Sequence, residues 1–453
     1  MRRFFYFSFR LFYFVNRWMT RRFTKAGLLV LGGLLAAAVV GIDTKQTVAY
    51  QIFTLLLSLV VISMAWSLFF RITFEVSRML PRFGTVNEKL TYRIEIQNRS
   101  PKYQAGLSLI ENLDAPRPTF NEFLNNPEPG EEHRNRFDRF VGYYRWSWLV
   151  AKKRGAAIKE QSLPALAPNS QQYLSVEIIP SQRGRLNLKG ITVARPDPLG
   201  LFKSFVAIPA RQSVLVLPKR YTLPTIALPG TRKYQSGGVA LASSVGDSEE
   251  FVSLRDYRPG DPLRRIHWRS WAKTGKPVVK EHQDEFFVRH ALILDTFQAS
   301  ENSLIFEEAV SVAASFTYSI QTQESLLDLM FVGTEAYCFT SGRGLAHTDK
   351  MLEILAAVTV CTDKPFSVLP PSVFERASML SGCICILLSW DDEKKLFIKR
   401  LRALGVPVLV LVVTDAADTN LDDPAFDLGP MKDRPDYFHM LKAGNIQEGL
   451  ARL

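Results

Sequence analysis

The chain is 453 residues long, with 47% apolar and 22% charged residues, enough for two or three domains and a composition that excludes a disordered or fibrous protein. Its formal net charge is +12, but residues 1–42 hold seven basic residues and no acid, which leaves an excess of five for all the rest. That distribution excludes a chain-wide basic stripe of the nucleic-acid-binding kind and demands a local explanation at the N-terminus.

The explanation read from the sequence is a membrane. Residues 1–25 interleave ten aromatic residues with arginine, the composition of an interfacial segment. Ala26–Ile42 then runs 17 residues without a charge, and Thr47–Phe70 another 24. At about 1.5 Å per residue the first stretch is just short of the roughly 30 Å hydrocarbon core, and the second spans it. Four residues separate them, so the pair is expected to form a hairpin over 26–70, each helix satisfying its own backbone. The basic residues lie before the first helix and, as Arg71, Arg78 and Arg82, after the second, which predicts both termini on the cytoplasmic side. A cleaved signal peptide fits less well, because the basic leader is long and a full span follows directly.

From 72 to 217 the pattern turns to short alternating runs such as Leu90–Ser100, Leu107–Leu113, Tyr173–Ser181 and Arg185–Ala194, which predicts an antiparallel β-sandwich. A long insertion at about 116–170 interrupts it. Its Tyr143–Arg154 part reads either as a contact with anionic lipid headgroups or as a helix packing its aromatics on the sandwich. Residues 219–247, rich in Pro, Gly and Ser, form a connector. From 289 to 453 continuous apolar strands alternate with helices: His290–Asp295, Asp328–Gly333, Cys383–Trp390 and Val406–Asp415 are the strands of an expected parallel α/β sheet. Cys383 and Cys385 belong to such a strand, and the four cysteines show no disulfide or metal spacing.

Candidate chemistry is sparse. Ligands of such sheets bind at the carboxyl ends of the strands, where Asp295, Asp391, Asp392 and Asp415 fall. Asp295 and Asp391 are a degenerate candidate for a divalent metal, Mg2+ being the ion suited to oxygen ligands. An aspartate capping the following helix explains the same residues without an ion. No phosphate loop, nucleophile elbow or HExxH is present, and the six histidines are scattered, so no catalytic residue is assigned.

The densest stretch is the segment 248–288, and within it Glu250–Pro277, EFVSLRDYRPGDPLRRIHWRSWAKTGKP. Asp261 followed by Pro262 reads as a helix start, with a helix over Leu263–Lys273 that sets Arg265, Arg269 and Lys273 beside Leu263, His267 and Trp271. Three uses are open: a buried ion-pair and stacking knot joining the two domains, a surface for a protein partner, or a grip on nucleic acid. The near balance of charge outside the N-terminus disfavours nucleic acid.

The run R-x-Y-x-x-G-D-x-x-R-x-I-x-W-x-x-x-A, here Arg255, Tyr257, Gly260, Asp261, Arg264, Ile266, Trp268 and Ala272, resembles the signature of the bacterial family called domain of unknown function 58. His267 and Arg269 lie inside it. The stretch Pro180–Phe202 is similar to the Arg-Gly strand and Asp-Pro-Leu-Gly-Leu-Phe turn of that family, and the resemblance extends over nearly the whole chain. It implies a membrane hairpin, a β-rich domain, the signature, and a Rossmann-like domain of von Willebrand factor type A kind. It also implies a partner, since family members are commonly encoded beside MoxR-type AAA+ ATPases. Of the metal motif of type A domains only Asp295 is kept. The resulting expectation is a non-catalytic scaffold or adaptor of the bacterial inner membrane that needs no cofactor and acts through protein contacts, including a MoxR-like ATPase, in envelope or complex assembly. The alternative is a metal-dependent hydrolase or other enzyme that uses the strand-end acids.

Overall fold

A computed structural model describes residues 1–40, 47–70, 73–114, 117–128, 130–131, 134–224, 251–259, 261, 263, 266–282, 289–298, 303–321, 326–333, 335–341, 345–415 and 427–453. The chain divides into two compact units, one of residues 1–221, 300–314 and 352–359, the other of 222–299, 315–351 and 360–453.

The first unit begins with three helices, α1 (Arg2–Arg22), α2 (Lys25–Val40) and α3 (Thr47–Ser67). Among the described residues one helix, Val48–Ser67, is long and apolar enough to cross a membrane, and α2 is a shorter apolar helix of 16 described residues.

The β-domain follows as two sheets, in the orders β1-β3-β7-β5 and β2-β9-β8-β4-β6. Its strands are β1 (Phe74–Met79), β2 (Phe83–Thr85), β3 (Leu90–Asn98), β4 (Ser108–Leu113), β5 (Ala156–Ile158), β6 (Gln161–Ser162), β7 (Gln171–Pro180), β8 (Gly184–Pro196) and β9 (Lys203–Leu217). Apart from the short parallel pair β2–β9 the ladders are antiparallel. The period-two alternation is realised as expected: Leu90, Tyr92, Ile94 and Ile96 of β3 are buried and join Leu109, Val176, Ile178, Ile191, Val193 and Val214 in one core. An ion pair is buried with them. The Arg78 guanidinium donates to both Glu111 oxygens at 2.8 and 2.9 Å, and the Tyr92 hydroxyl donates to Glu111 at 2.8 Å. Burial, then the neighbouring Glu111 charge, push the Tyr92 hydroxyl far above its ordinary range.

The Asp-Pro-Leu-Gly-Leu-Phe turn between β8 and β9 is a joint to the apolar helices. The Asp197 carboxylate accepts from the backbone N–H of Leu199, Leu201 and Phe202, and also from the Ser63 hydroxyl of α3 at 2.9 Å. Thr24 donates its N–H to the Leu201 carbonyl at 3.0 Å, and Phe23 meets Phe202 edge-on at 5.1 Å. A Cβ on Gly27 would fall 2.0 Å from the Leu201 carbonyl oxygen, so only glycine lets α2 approach this closely. The Arg-Gly element also acts locally: Arg183 donates to the main-chain carbonyls of Leu355 and Val358 at 2.9 and 2.7 Å and to Glu307 at 2.9 Å.

The insertion contains α4 (Phe120–Asn125), α5 (Arg136–Val141) and α6 (Tyr143–Arg154). A capping box of Thr119 and Glu122 starts α4, and Gly142, in the left-handed region at φ 73°, both ends α5 and starts α6. The aromatics of this insertion pack elsewhere than on the sandwich. Tyr6 of α1 inserts among Phe120, Phe123 and Trp146, with ring centroids 5.4, 5.9 and 5.3 Å away, and its hydroxyl donates to the Pro118 carbonyl at 3.0 Å. The aromatics of the insertion thus close on α1 and form a cluster separate from the sandwich core.

The second unit contains a two-stranded ribbon, β10 (Phe251–Asp256) and β11 (Val278–His282), with α7 (Trp268–Thr274) between them. Its main sheet has six strands: β12 (Arg289–Leu294), β13 (Leu326–Val332), β14 (Ala336–Ser341), β15 (Gly382–Leu387), β16 (Val408–Thr414) and β17 (Phe438–Lys442). Their order is β14-β13-β12-β15-β16-β17, all neighbours parallel except β13–β14. The expected wholly parallel sheet is thus mixed, with an antiparallel edge strand. Order reverses on either side of β12, so the carboxyl end of β12 is the topological switch point of the sheet. The helices between these strands are α8 (Leu304–Gln321), α9 (Leu345–Ala357), α10 (Leu369–Phe374), α11 (Asp392–Ala403) and the C-terminal α12 (Ile446–Leu450). Cys383 and Cys385 are buried in β15, where burial pushes the Cys383 thiol up to about 12 and makes it inert.

Candidate functional site

Two places carry the residues singled out by the sequence: the ribbon and the carboxyl end of β12.

In the ribbon, Asp261 pairs with the strand before it. Its two carboxylate oxygens accept from the two Arg255 guanidinium nitrogens, each at 2.7 Å, and Oδ2 also accepts from the Arg258 N–H at 2.8 Å. These bonds, the Arg255 pair first, hold the Asp261 carboxyl at about 2, below its ordinary 3.8. The turn after β10 is thereby pinned to the strand it leaves.

The predicted helix over Leu263–Lys273 is shortened to Trp268–Thr274. The reason is tertiary. Ile266 bridges Val279 of β11 and buries its side chain, and the His267 N–H donates to the Val278 carbonyl at 2.8 Å, so Ile266 and His267 pair with the ribbon and α7 begins only after them. Tyr257 continues the ribbon through its N–H, which donates to Pro277 at 2.9 Å. The His267 ring lies 2.7 Å from the Ser270 hydroxyl, where the helix begins. Gly275 in the left-handed region ends it.

Trp268 and Trp271 stack on each other, with centroids 5.2 Å apart, and Trp268 is 63% exposed. Leu254, Leu263, Arg269 and Ala272 are exposed too. Ile266 is the buried post, Trp268 stands in solvent, and Trp271 is half-buried. Gly260, Arg264 and Arg265, like most of the connector 219–247, lie outside the described residues.

At the switch point, Asp295 directly follows β12 and is fully buried. Its Oδ1 accepts from the Phe297 N–H and its Oδ2 from the Leu388 N–H, each at 3.0 Å. The Lys394 ammonium sits 2.9 Å from Oδ2. It also lies 3.3 Å from the Asp391 carboxylate and donates to the Ser389 hydroxyl. Asp391 caps α11 by accepting from the Lys394 N–H at 3.0 Å, and accepts from the Ser389 hydroxyl at 2.8 Å. Burial opposes its ionisation, but these bonds outweigh it and hold its carboxyl below the ordinary value. Asp295 and Asp391 do converge, as the strand-end reading has it, and the ammonium of this chain's own Lys394 lies between them. Three oxygens meet its three donors, and the Phe366 ring lies over it at 5.6 Å. Asp392, in contrast, points into solvent. Lys394 was missed in the sequence, where it reads as one charge among DDEKK.

The comparisons bear on the ribbon. Residues 253–374 match the sequence model of the family described as "Protein of unknown function DUF58". The chain is 26% identical over 217 residues to the "Uncharacterized protein YeaD" of Bacillus subtilis (strain 168), a match covering 47% of this chain and 52% of that protein. It thus spans about half the length of that curated relative. Among solved structures, the solution structure of the CARDB domain of PF1109 from Pyrococcus furiosus is similar over 32% of this chain and 93% of that one, at 11% identity and a TM-score of 0.17. The crystal structure of that domain in complex with di-metal ions covers 32% and 88%, at 12% identity and a TM-score of 0.17. Scores this low carry no argument about this chain. The signature residues of the ribbon and the matched sequence model together place residues 253–374 in the family of unknown function 58.

Proposed function

We propose that the chain is a non-catalytic scaffold or adaptor held at a bacterial inner membrane, and that it works through protein contacts made by the ribbon. The observation that carries this reading is the Trp268–Trp271 stack on α7, with Trp268 63% exposed and Ile266, just ahead of the helix, buried against β11. An exposed tryptophan stacked on a second and set beside arginine is the composition of a binding hot spot. The second unit is taken as a von Willebrand factor type A-like domain, a reading supported by its strand order and antiparallel third strand. The positive flanks of the apolar helices support an N- and C-terminus in the cytoplasm, with α2 and α3 crossing as a hairpin.

A metal-dependent hydrolase at the strand ends finds less support. Lys394 already neutralises Asp295 and Asp391, so those acids are engaged within the chain. A MoxR-type AAA+ ATPase is the proposed partner, on the strength of the family resemblance. The test is co-purification from native membranes. Wild-type protein should retain the ATPase, and Trp268→Ser with Trp271→Ser should weaken retention by about thirtyfold, as loss of one hot spot does. Equal retention by the double variant would overturn the ribbon as the contact.

A further inference from the structure

The sequence of α1 makes two faces, and the fold uses one of them. At about 100° per residue, Tyr6, Phe9 and Tyr13 share a side, and Tyr6 and Phe9 pack into the cluster of Phe123, Trp146 and Leu149 of the insertion. On the opposite side Phe4, Phe7, Leu11, Phe14 and Trp18 recur at spacings of three and four, and each is at least 41% exposed. Arg3, Arg10 and Arg17, seven residues apart, run along the flank between the two faces. Beside α1, Phe140 of α5 meets Phe5 edge-on at 5.8 Å, and Phe137, one turn back and set between Arg136 and Asp138, is 73% exposed.

We infer that the insertion is a cradle for α1, and that the two together present one aromatic and arginine surface to anionic phospholipid. Three observations select a bilayer as the occupant. The face is contiguous in the chain with the apolar helices α2 and α3. It carries arginine and no acid along the whole of α1, which complements negatively charged headgroups. Its apolar members are phenylalanine, leucine and tryptophan, the residues that enter the boundary between headgroups and acyl chains when a helix lies in the membrane plane. The Tyr6 clamp decides which way they face: with its ring held among Phe120, Phe123 and Trp146, the stripe centred on Leu11 has nowhere to turn but outward. This surface is independent of the partner contact at the ribbon.

The test places a photo-crosslinking p-benzoylphenylalanine at position 7, 137, 62 or 177 of the full chain, reconstituted in nanodiscs of phosphatidylcholine with phosphatidylglycerol. Position 62 lies on α3 and reports insertion of the chain, and position 177, exposed on β7, is the aqueous control. Lipid adducts are expected at 7, 137 and 62 and not at 177. At 7 and 137, phosphatidylglycerol adducts should exceed the bulk lipid ratio by roughly threefold or more, an enrichment that Arg3→Gln, Arg10→Gln and Arg17→Gln together should remove. Adducts at 62 without adducts at 7 and 137 would overturn the surface, and so would crosslinks from 7 or 137 to a second protein chain. Absence of adducts at all three sites would overturn the membrane placement itself.

Discussion

The Lys394 ammonium lies 2.9 Å from the buried Asp295 carboxylate, at the point where the order of the central sheet reverses. In α/β sheets that position receives ligands, and here a side chain of the same chain fills it. Removing Lys394 leaves the buried Asp295 carboxylate without its counter-charge, and removing Asp295 leaves the buried ammonium only the half-exposed Asp391. Lys394→Met or Asp295→Leu should each lower stability by about 3–5 kcal/mol, whereas the two together should recover much of the loss. Thermal unfolding of the detergent-solubilised chain measures this. If the ammonium serves where an ion otherwise would, the wild-type melting temperature is the same with Mg2+ as with a chelator.

His290, buried in β12, should make stability depend on pH. Burial lowers its ring to about 4 from the ordinary 6.5. The unfolded chain therefore takes up a proton near 6.5 that the folded chain refuses until about 4. Stability is unaffected above that window, falls as pH drops through it, and levels off below, with a total loss on the order of 3 kcal/mol. Denaturation at pH 7.5 and 4.5 tests this, and His290→Leu should flatten the difference.

Asp261 adds a second, more acidic step of the same sign. Its folded carboxyl is depressed to about 2 from 3.8, so its hold on Arg255 is complete above 3.8 and lost as pH falls through 2. An infrared difference titration of wild type against Asp261→Asn should show one carboxylate that persists to about pH 2. A carboxylate titrating at the ordinary value would remove the pinned turn.

The joint between the β-domain and the apolar helices predicts a sharp contrast between two glycines. Gly27→Leu must push α2 off the Leu201 carbonyl, at a cost of about 1–3 kcal/mol. Gly32→Leu has open space and should cost almost nothing. Thermal unfolding of the two variants side by side is the measurement.

What could be read in advance followed the strength of local patterning. The alternation of Leu90–Asn98 announced a strand with one buried face, and the uncharged run after Thr47 announced a membrane-length helix. Strands β14 and β17 escaped because AYCFTS and FHMLK, each at a sheet edge, lack the continuous apolar run of a central strand. Ile266 misled for a different reason: helical spacing and a good start signal preceded it, and a single pairing with Val279 outweighed both. Lys394 left one usable sign. A cation in the first turn of a helix opposes the helix dipole, and its side chain tilts back toward the strand ends, where Asp295 lies. The contact between Tyr6 and Trp146 left none, since it joins segments 140 residues apart in the chain.

The central claim, that the ribbon is where this chain meets another protein, is tested most directly by a photo-crosslinker at position 268 in native membranes, with products identified by mass spectrometry. The account predicts a discrete crosslink to a second protein from 268, lost when Ile266→Asp frees α7 from β11, and no such product from position 177. Crosslinks from 268 that reach only this chain itself would contradict it.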